Sequence, residues 1–172
     1  IALHISNLIE RKNVTDMIRA FSSIYRTRED FEFHIVGEGA MKKQLVELAR
    51  QLGTLDKCIF FHGYVSDEEK NQLLLSCDFH VLNSDEEGFS VVTAEAICCG
   101  VPVIATRCGG PEDFVTEDVG LLIERRNIGQ LESAIRRLLD SSRTYDSKVL
   151  QAHFKERFSP AIIAEQTYEM YL

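Results

Sequence analysis

The stretch Asn83 to Thr106, NSDEEGFSVVTAEAICCGVPVIAT, decides how the chain is read. An apolar run, Phe79 to Leu82, leads into it. An acidic loop with a single glycine follows, then a short apolar helical pattern stopped at Gly100, then a second apolar run from Pro102 to Ala105. Strand, loop, helix and strand in that order make a βαβ unit, the building block of a parallel sheet. Glu87 lies in the loop and Glu95 eight positions on, inside the helix, so one carboxylate stands on each side of a helix start.

The same alternation continues in both directions. Upstream, residues 1–6 read as a strand, and Val14, Met17, Ile18, Phe21, Ile24 and Tyr25 fall at helical spacing behind a cap formed by Asn13 with Asp16. Residues 31–36 read as the second strand, closed by Gly37-Glu38-Gly39. Met41, Leu45, Leu48, Ala49 and Leu52 form a helix stopped by Gly53, and residues 58–61 the third strand. Ser66 and Glu69 make a capping box ahead of a helix carrying Leu73 and Leu74. Downstream, a loop at 107–111 and a short helical turn precede a sixth strand at 120–123. Asn127 caps a helix whose apolar face is Leu131, Ala134, Ile135, Leu138 and Leu139. From residue 140 the pattern is helical: one segment around 148–157 and a last one begun by Ser159-Pro160. The class predicted is α/β, a Rossmann-like doubly wound parallel sheet of about six strands with helices on both faces. In such a sheet every strand-to-helix loop leaves the same edge, which gathers residues 7–12, 37–39, 63–66, 83–90 and 106–111 along one rim.

With 172 residues and 45% hydrophobic composition the chain is sized for one compact domain, residues 1–172. A formal charge of -8 argues against nucleic acid, or an anionic membrane surface, as its main partner. It leaves room for a small anion held by loop amides and helix ends. The five cysteines, Cys58, Cys77, Cys98, Cys99 and Cys108, lack zinc-site spacing and read as reduced, packed thiols of a cytoplasmic protein, Cys98 and Cys99 being neighbours on a buried helix. No apolar run reaches the ~18 residues of a membrane span. Starting on Ile1 within a strand, the sequence reads as a piece of a longer protein.

The loop ahead of Val91 holds the candidate chemistry. Free amides at a helix start, with the positive end of its dipole, make an anion site, and Gly88 removes a side chain where a phosphate or sugar would approach. The competing reading makes Ser90 a simple cap and Gly88 a simple turn. Glu87 and Glu95 are suited to accept hydrogen bonds from sugar hydroxyls, in pairs from a vicinal diol. A ligand with both phosphate and hydroxyls, such as a nucleotide sugar, satisfies loop and glutamates together. Against this, Glu95 reads equally as an exposed glutamate steadying an early helical turn. Lys12, with Arg11 before it, could neutralise a diphosphate or simply be solvated. No histidine flanks the consecutive carboxylates Asp85, Glu86 and Glu87, so no metal site is expected. Lys42 stands where a dinucleotide fingerprint needs its third glycine, so no NAD is expected. His4, His34, His62 and His80 read as structural.

Taken together, Glu87-Gly88-Phe89-Ser90, Glu95-Ala96 and Cys99-Gly100-Val101-Pro102-Val103-Ile104-Ala105-Thr106 resemble the E-x7-E segment of retaining glycosyltransferases of family 4, the group 1 family. The likeness extends through residues 6–14, the I-V-G-x-G turn at 35–39, the F-x-G-x-V segment at 61–65, and Gly109-Gly110 with Glu112. It implies the C-terminal, donor-binding half of a GT-B fold, with the N-terminal acceptor domain outside this chain. It further implies transfer of sugar from a nucleotide diphosphate donor, UDP-linked more than GDP-linked, with retention and without a cofactor or metal. Lys12 would bind the diphosphate and Glu87 sit beside the transferred sugar. The amides of Gly88, Phe89 and Ser90 would hold sugar and phosphates, Glu95 the ribose, and Gly37, Gly39, Tyr64 and Val65 would border the base. Membrane association, at the inner face, would come through the absent half. Asn7 stands where the family usually has an arginine, which removes a phosphate cation unless Arg11 reaches in. Asn13 and Ser90 stand where it usually has glycines. The opening His4-Ile5-Ser6-Asn7 is similar to that of the branch that makes glucosaminyl malate. An epimerase or phosphorylase of the same fold, and a non-catalytic nucleotide-binding module, are the rival readings.

Overall fold

Short apolar runs become strands, and the amphipathic runs at 14–25, 42–51 and 128–141 become helices, in the computed structural model, which describes residues 1–158. In chain order the elements are β1 (Ala2–Ile5), α1 (Val14–Tyr25), β2 (Phe33–Val36), α2 (Lys42–Gln51), β3 (Ile59–Gly63), α3 (Asp67–Ser76), β4 (Phe79–Leu82), α4 (Val91–Cys98), β5 (Val103–Thr106), β6 (Gly120–Ile123), α5 (Ile128–Ser141) and α6 (Ser147–Phe158). The strands form one six-stranded sheet in the order β3-β2-β1-β4-β5-β6, every pair parallel. The expected strands are all present, their ends moved by one or two residues. The helix expected from Ser159-Pro160 lies outside the described residues.

Alternation along the strands builds two cores. Phe33, Ile35, Ile59, Phe79 and Val81 point to one face, where α1, α2 and α5 bury Met17, Phe21, Leu45, Leu131 and Ile135. Leu3, Val36, Leu82, Val103 and Ala105 point to the other, covered by α3, α4 and α6 through Leu74, Ala96, Ile97 and Leu150. Both faces are covered, which is why the strands read as continuous apolar runs.

Capping follows the sequence at α3, where Ser66 and Glu69 form the reciprocal box, and at α5, where the Asn127 side chain accepts from the Gln130 amide at 3.0 Å. It departs at α1. Asn13 occupies the cap position with φ 47°, but its side chain donates instead to the Asn83 carbonyl at 3.2 Å. Cys98 is also corrected: it closes α4 on the exposed side, whereas Cys58 and Cys77 are buried and their thiols pushed up to about 12 by that burial.

Two histidines are wholly buried at the centre of the sheet. His4 Nδ1 donates to the Val81 carbonyl at 2.8 Å, which leaves Nε2 to bond Ser6 Oγ at 2.7 Å. His80 stacks on it at 6.3 Å, and its ring nitrogens make no well-formed hydrogen bond, the Leu3 backbone being their polar neighbour. Burial lowers His4 to about 4 and His80 to about 3. The unfolded chain takes up these protons below about pH 6.5, whereas the native state does so only below the lowered values. Stability is therefore full above that pH and falls as pH drops from 6.5 towards 4. Urea midpoints measured from pH 7 to pH 4 should decline, and His80→Leu should raise the midpoint at pH 7 by the equivalent of about 1 kcal/mol and flatten the decline.

Candidate functional site

The strand order reverses between β1 and β4, so the loops leaving these two strands part to opposite sides and open a crevice at the carboxyl edge. After β1, a single 3-10 turn, Glu10–Lys12, is stopped by the left-handed Asn13 and turns Lys12 toward the crevice. After β4, residues 83–90 bring Glu87 to the same place. Lys12 Nζ is salt-bridged to Glu87 Oε1, with only 12% and 9% of the two side chains exposed. Ser84 Oγ donates to the same carboxylate oxygen at 2.6 Å.

Neighbouring loops fix that geometry. The side-chain amides of Asn13 and Asn83 each donate to the other residue's carbonyl, at 3.2 and 3.4 Å. Thr106 Oγ1 donates to the Ser84 carbonyl at 2.6 Å. The Glu87 amide donates to the Cys108 carbonyl at 2.9 Å, and the Gly110 amide returns to the Glu87 carbonyl at 3.0 Å. A Cβ on Gly110 would stand 2.0 Å from the Gly88 carbonyl oxygen, so the two loops touch backbone to backbone. Asp85 is gripped by Arg126, Nε at 3.0 Å and Nη2 at 2.8 Å, which holds its carboxyl below the ordinary range. The acidic run therefore divides: Asp85 anchors the loop, Glu86 is exposed and Glu87 faces the crevice.

Residues 88–90 then enter α4. Gly88 lies at a bend of the loop, yet its φ does not require glycine and a Cβ there would meet nothing within 4 Å. Ser90 sits at φ 63° and makes no cap bond; its hydroxyl pairs with Thr93 Oγ1 at 2.8 Å. Both residues standing where the family has glycine, Asn13 and Ser90, thus occupy left-handed backbone. Asparagine tolerates this conformation, whereas serine carries strain that its bond to Thr93 helps to offset. Phe89 is 39% exposed and packs against Phe114 at 5.1 Å and Phe158 at 5.6 Å, with Phe154 stacked on Phe158 at 4.8 Å. Ser147, at the other end of α6, lies against Gly100. Helix α6 thus runs antiparallel along α4 and supports the loop at its start.

A cavity of about 400 Å³ lies next to this loop system on the β2–β3 side, lined among others by Asn7, Gly37, Tyr64, Val65 and Lys70. Four of the expected donor-binding residues therefore share one wall. Gly39 does not line it: a Cβ there would meet the Leu8 carbonyl oxygen at 2.4 Å, so this glycine serves contact between two rim loops. Arg11 does not reach in. It borders a separate depression with Asn13, Asp16, Asp85 and Arg126, its carbonyl accepting from the Asp85 amide at 2.8 Å, because the 3-10 turn sends consecutive side chains to different sides. Glu95 is not a free surface glutamate. Its Oε1 accepts from Lys70 Nζ at 2.9 Å, and its Oε2 is buried without a partner. Lys70, Ser84, Arg126 and the α6 phenylalanines were not marked by any motif. Among the described residues no group of three His, Cys, Asp or Glu is placed to hold a metal ion, and no helix is long and apolar enough to cross a membrane.

Residues 1–156 match the family model described as glycosyl transferases group 1. The chain belongs to this family. N-acetyl-alpha-D-glucosaminyl L-malate synthase of Bacillus anthracis is 31% identical over 169 residues, covering 96% of this chain and 43% of that protein. A GDP-mannose-dependent monoacylated alpha-(1-6)-phosphatidylinositol monomannoside mannosyltransferase of Corynebacterium glutamicum is 29% identical over 170 residues, covering 94% and 44%. Of solved structures, a glycine-to-arginine mutant of S. aureus TarM in complex with fondaparinux, alpha-GlcNAc-glycerol and UDP superposes with a TM-score of 0.89 at 25% identity, covering 99% of this chain and 35% of that one. Anabaena Alr3699/HepE in complex with UDP gives 0.84 at 25% identity, covering 99% and 48%. This group 1 glycosyltransferase chain thus spans less than half the length of these relatives and has the Rossmann-like fold of their GT-B structures.

The buried ion pair makes a prediction for this group 1 domain. Removing one partner strands the other charge, whereas replacing both removes the desolvation cost. Lys12→Met alone should lower the unfolding free energy by roughly 3 kcal/mol, and Lys12→Met with Glu87→Leu should restore it to the wild-type value or above. Urea denaturation of the three proteins checks this, and a double variant as unstable as the single would refute it.

Proposed function

We propose that this chain is the donor-binding half of a retaining glycosyltransferase of the hexosyl type, moving sugar from a nucleotide diphosphate donor to an acceptor held by a domain outside the chain. The observation that carries the reading is the Lys12–Glu87 pair in the crevice between β1 and β4, beside the open backbone of Gly88. A UDP-linked donor is preferred because TarM and HepE were both crystallised with UDP. The named GDP-mannose dependence of the corynebacterial relative makes GDP the competing base.

In this reading a donor diphosphate lies over the start of α4, where the amides of residues 88–90 and the helix dipole meet it. Lys12 turns part of its ammonium from Glu87 to the phosphates and stabilises the negative charge that grows on them as the sugar leaves. Glu87, still held by Ser84, then has capacity for the hydroxyls of the transferred sugar. The leaving phosphate takes the acceptor proton on the face where the acceptor attacks, which retains the anomeric configuration. Glu95 receives the ribose, and the wall of Asn7, Gly37, Tyr64 and Val65 borders the base. The chemistry is proposed to need no cofactor or metal. Alone the chain binds donor without transferring it, since the acceptor wall is elsewhere, and any contact with the inner face of a membrane comes through that other half.

Full-length protein should release nucleoside diphosphate from a UDP-sugar only when an acceptor is supplied. An epimerase would alter the sugar without one, and NMR of the product anomer tests retention. Gly88→Ala is the sharper probe of the site. Because its new methyl group meets open space, unfolding should match wild type, while kcat/KM falls at least about tenfold through exclusion of the donor. Unchanged kcat/KM in a folded Gly88→Ala protein would sink the proposal.

A further inference from the structure

We propose that Lys70 is a ligand-contacting residue of the donor site, acting with Glu95 as a charge pair on the ribose hydroxyls of the donor. This rests on the donor-site reading above and deepens it.

Lys70 belongs to no motif, yet its position is built. The capping box of Ser66 and Glu69 fixes where α3 begins, and Lys70 follows in its first turn. From there Nζ lies 2.9 Å from Glu95 Oε1 on α4 and 3.4 Å from Asp67 Oδ1. The Lys70 side chain is 19% exposed, while Asp67 is 90% exposed, so Glu95 is the partner that holds it. That hydrogen bond also raises the Lys70 pKa, keeping it cationic.

The cavity bordered by Asn7, Gly37, Tyr64 and Val65 has Lys70 as the cation in its lining. Asn7 brings no charge, Arg11 faces another depression, and Lys42 is engaged with Glu38 at 2.5 Å. Glu95 has one oxygen on Lys70 and the other without a partner, while a third of its side chain remains exposed. The pair therefore has unused capacity of both kinds: the second lone pair of Oε1, with the buried Oε2 reached by rotation of the carboxylate, and an ammonium N–H beyond those directed at Glu95 and Asp67.

A hydroxyl both donates and accepts. A lone carboxylate satisfies its proton and leaves its oxygen lone pairs unmet, whereas a carboxylate beside an ammonium satisfies both, each by a charge-assisted bond. A ribose diol lying over Lys70 and Glu95 can donate to one and accept from the other. Loss of either hydroxyl leaves half-buried charge unpaired, and sites of that kind reject the deoxy analogue strongly.

The test is calorimetric titration of the full-length protein, as wild type, Lys70→Met and Lys70→Arg, with UDP, GDP and their 2′-deoxy and 3′-deoxy forms. Wild type should prefer the ribonucleotide over at least one deoxy form by tenfold or more. Lys70→Met should weaken the ribonucleotide roughly tenfold, the scale of one charged hydrogen bond, and shrink that preference, with Lys70→Arg restoring part of both. The preference is a ratio within one protein, so partial misfolding does not mimic its loss. If Lys70→Met keeps wild-type affinity, or weakens all forms by one factor, the inference fails while the donor-site reading stands. If wild type binds none of these nucleotides, both fail together.

Discussion

An ammonium and a carboxylate shut away together at the centre of a parallel sheet edge are the constraint on which the rest of this domain turns. Neither Lys12 nor Glu87 can lose its partner without leaving an uncompensated charge that is largely buried. Two loops from strands 70-odd residues apart in sequence must therefore arrive in register, and the surrounding contacts serve that arrival. The Asn13–Asn83 amide pair ties the loops at their roots, Ser84 shares the carboxylate, and the Cys108 and Gly110 backbone brackets Glu87 from the next strand. A hydrophobic pair would have been cheaper to bury.

Much of this was legible in the sequence, for physical reasons. A sheet covered on both faces needs unbroken apolar strands, so Phe79–Leu82 and Gly120–Ile123 announce themselves within a residue. Capping boxes are local, so Ser66 with Glu69 could be read directly. What escaped depends on directions that sequence spacing does not carry. Arg11 and Lys12 are neighbours, yet one 3-10 turn sends them to different depressions. Asn13 looks like a cap and is a left-handed stop whose side chain bonds another loop. Lys70 meets Glu95 only because α3 and α4 share a face of the sheet, a tertiary fact with no local signature.

Support for the 88–90 loop comes from still farther along the chain. Phe154 and Phe158 are spaced to lie on one side of α6, an ordinary helical pattern that in isolation says only that something is buried. Their partner is Phe89, in the loop whose backbone faces the crevice, and Phe114 completes the group. The same helix presses Ser147 onto Gly100 at the opposite end of α4. Helix α4 is short and has no side-chain cap; its buried face rests on the sheet, and α6 braces it at both ends.

The pairing of β1 with β4 also sets an order on self-assembly. Strands β1, β2 and β3 are sequential neighbours that can associate through local crossovers, but β1 meets β4 only after a chain closure spanning residues 5–79. Contacts of that sequence separation form slowly, because chain entropy must be surrendered before they reward it. Any folding intermediate that stops at β3 has Lys12 and no Glu87. A nascent chain emerging from the ribosome therefore has no crevice until β4 and its loop are synthesised.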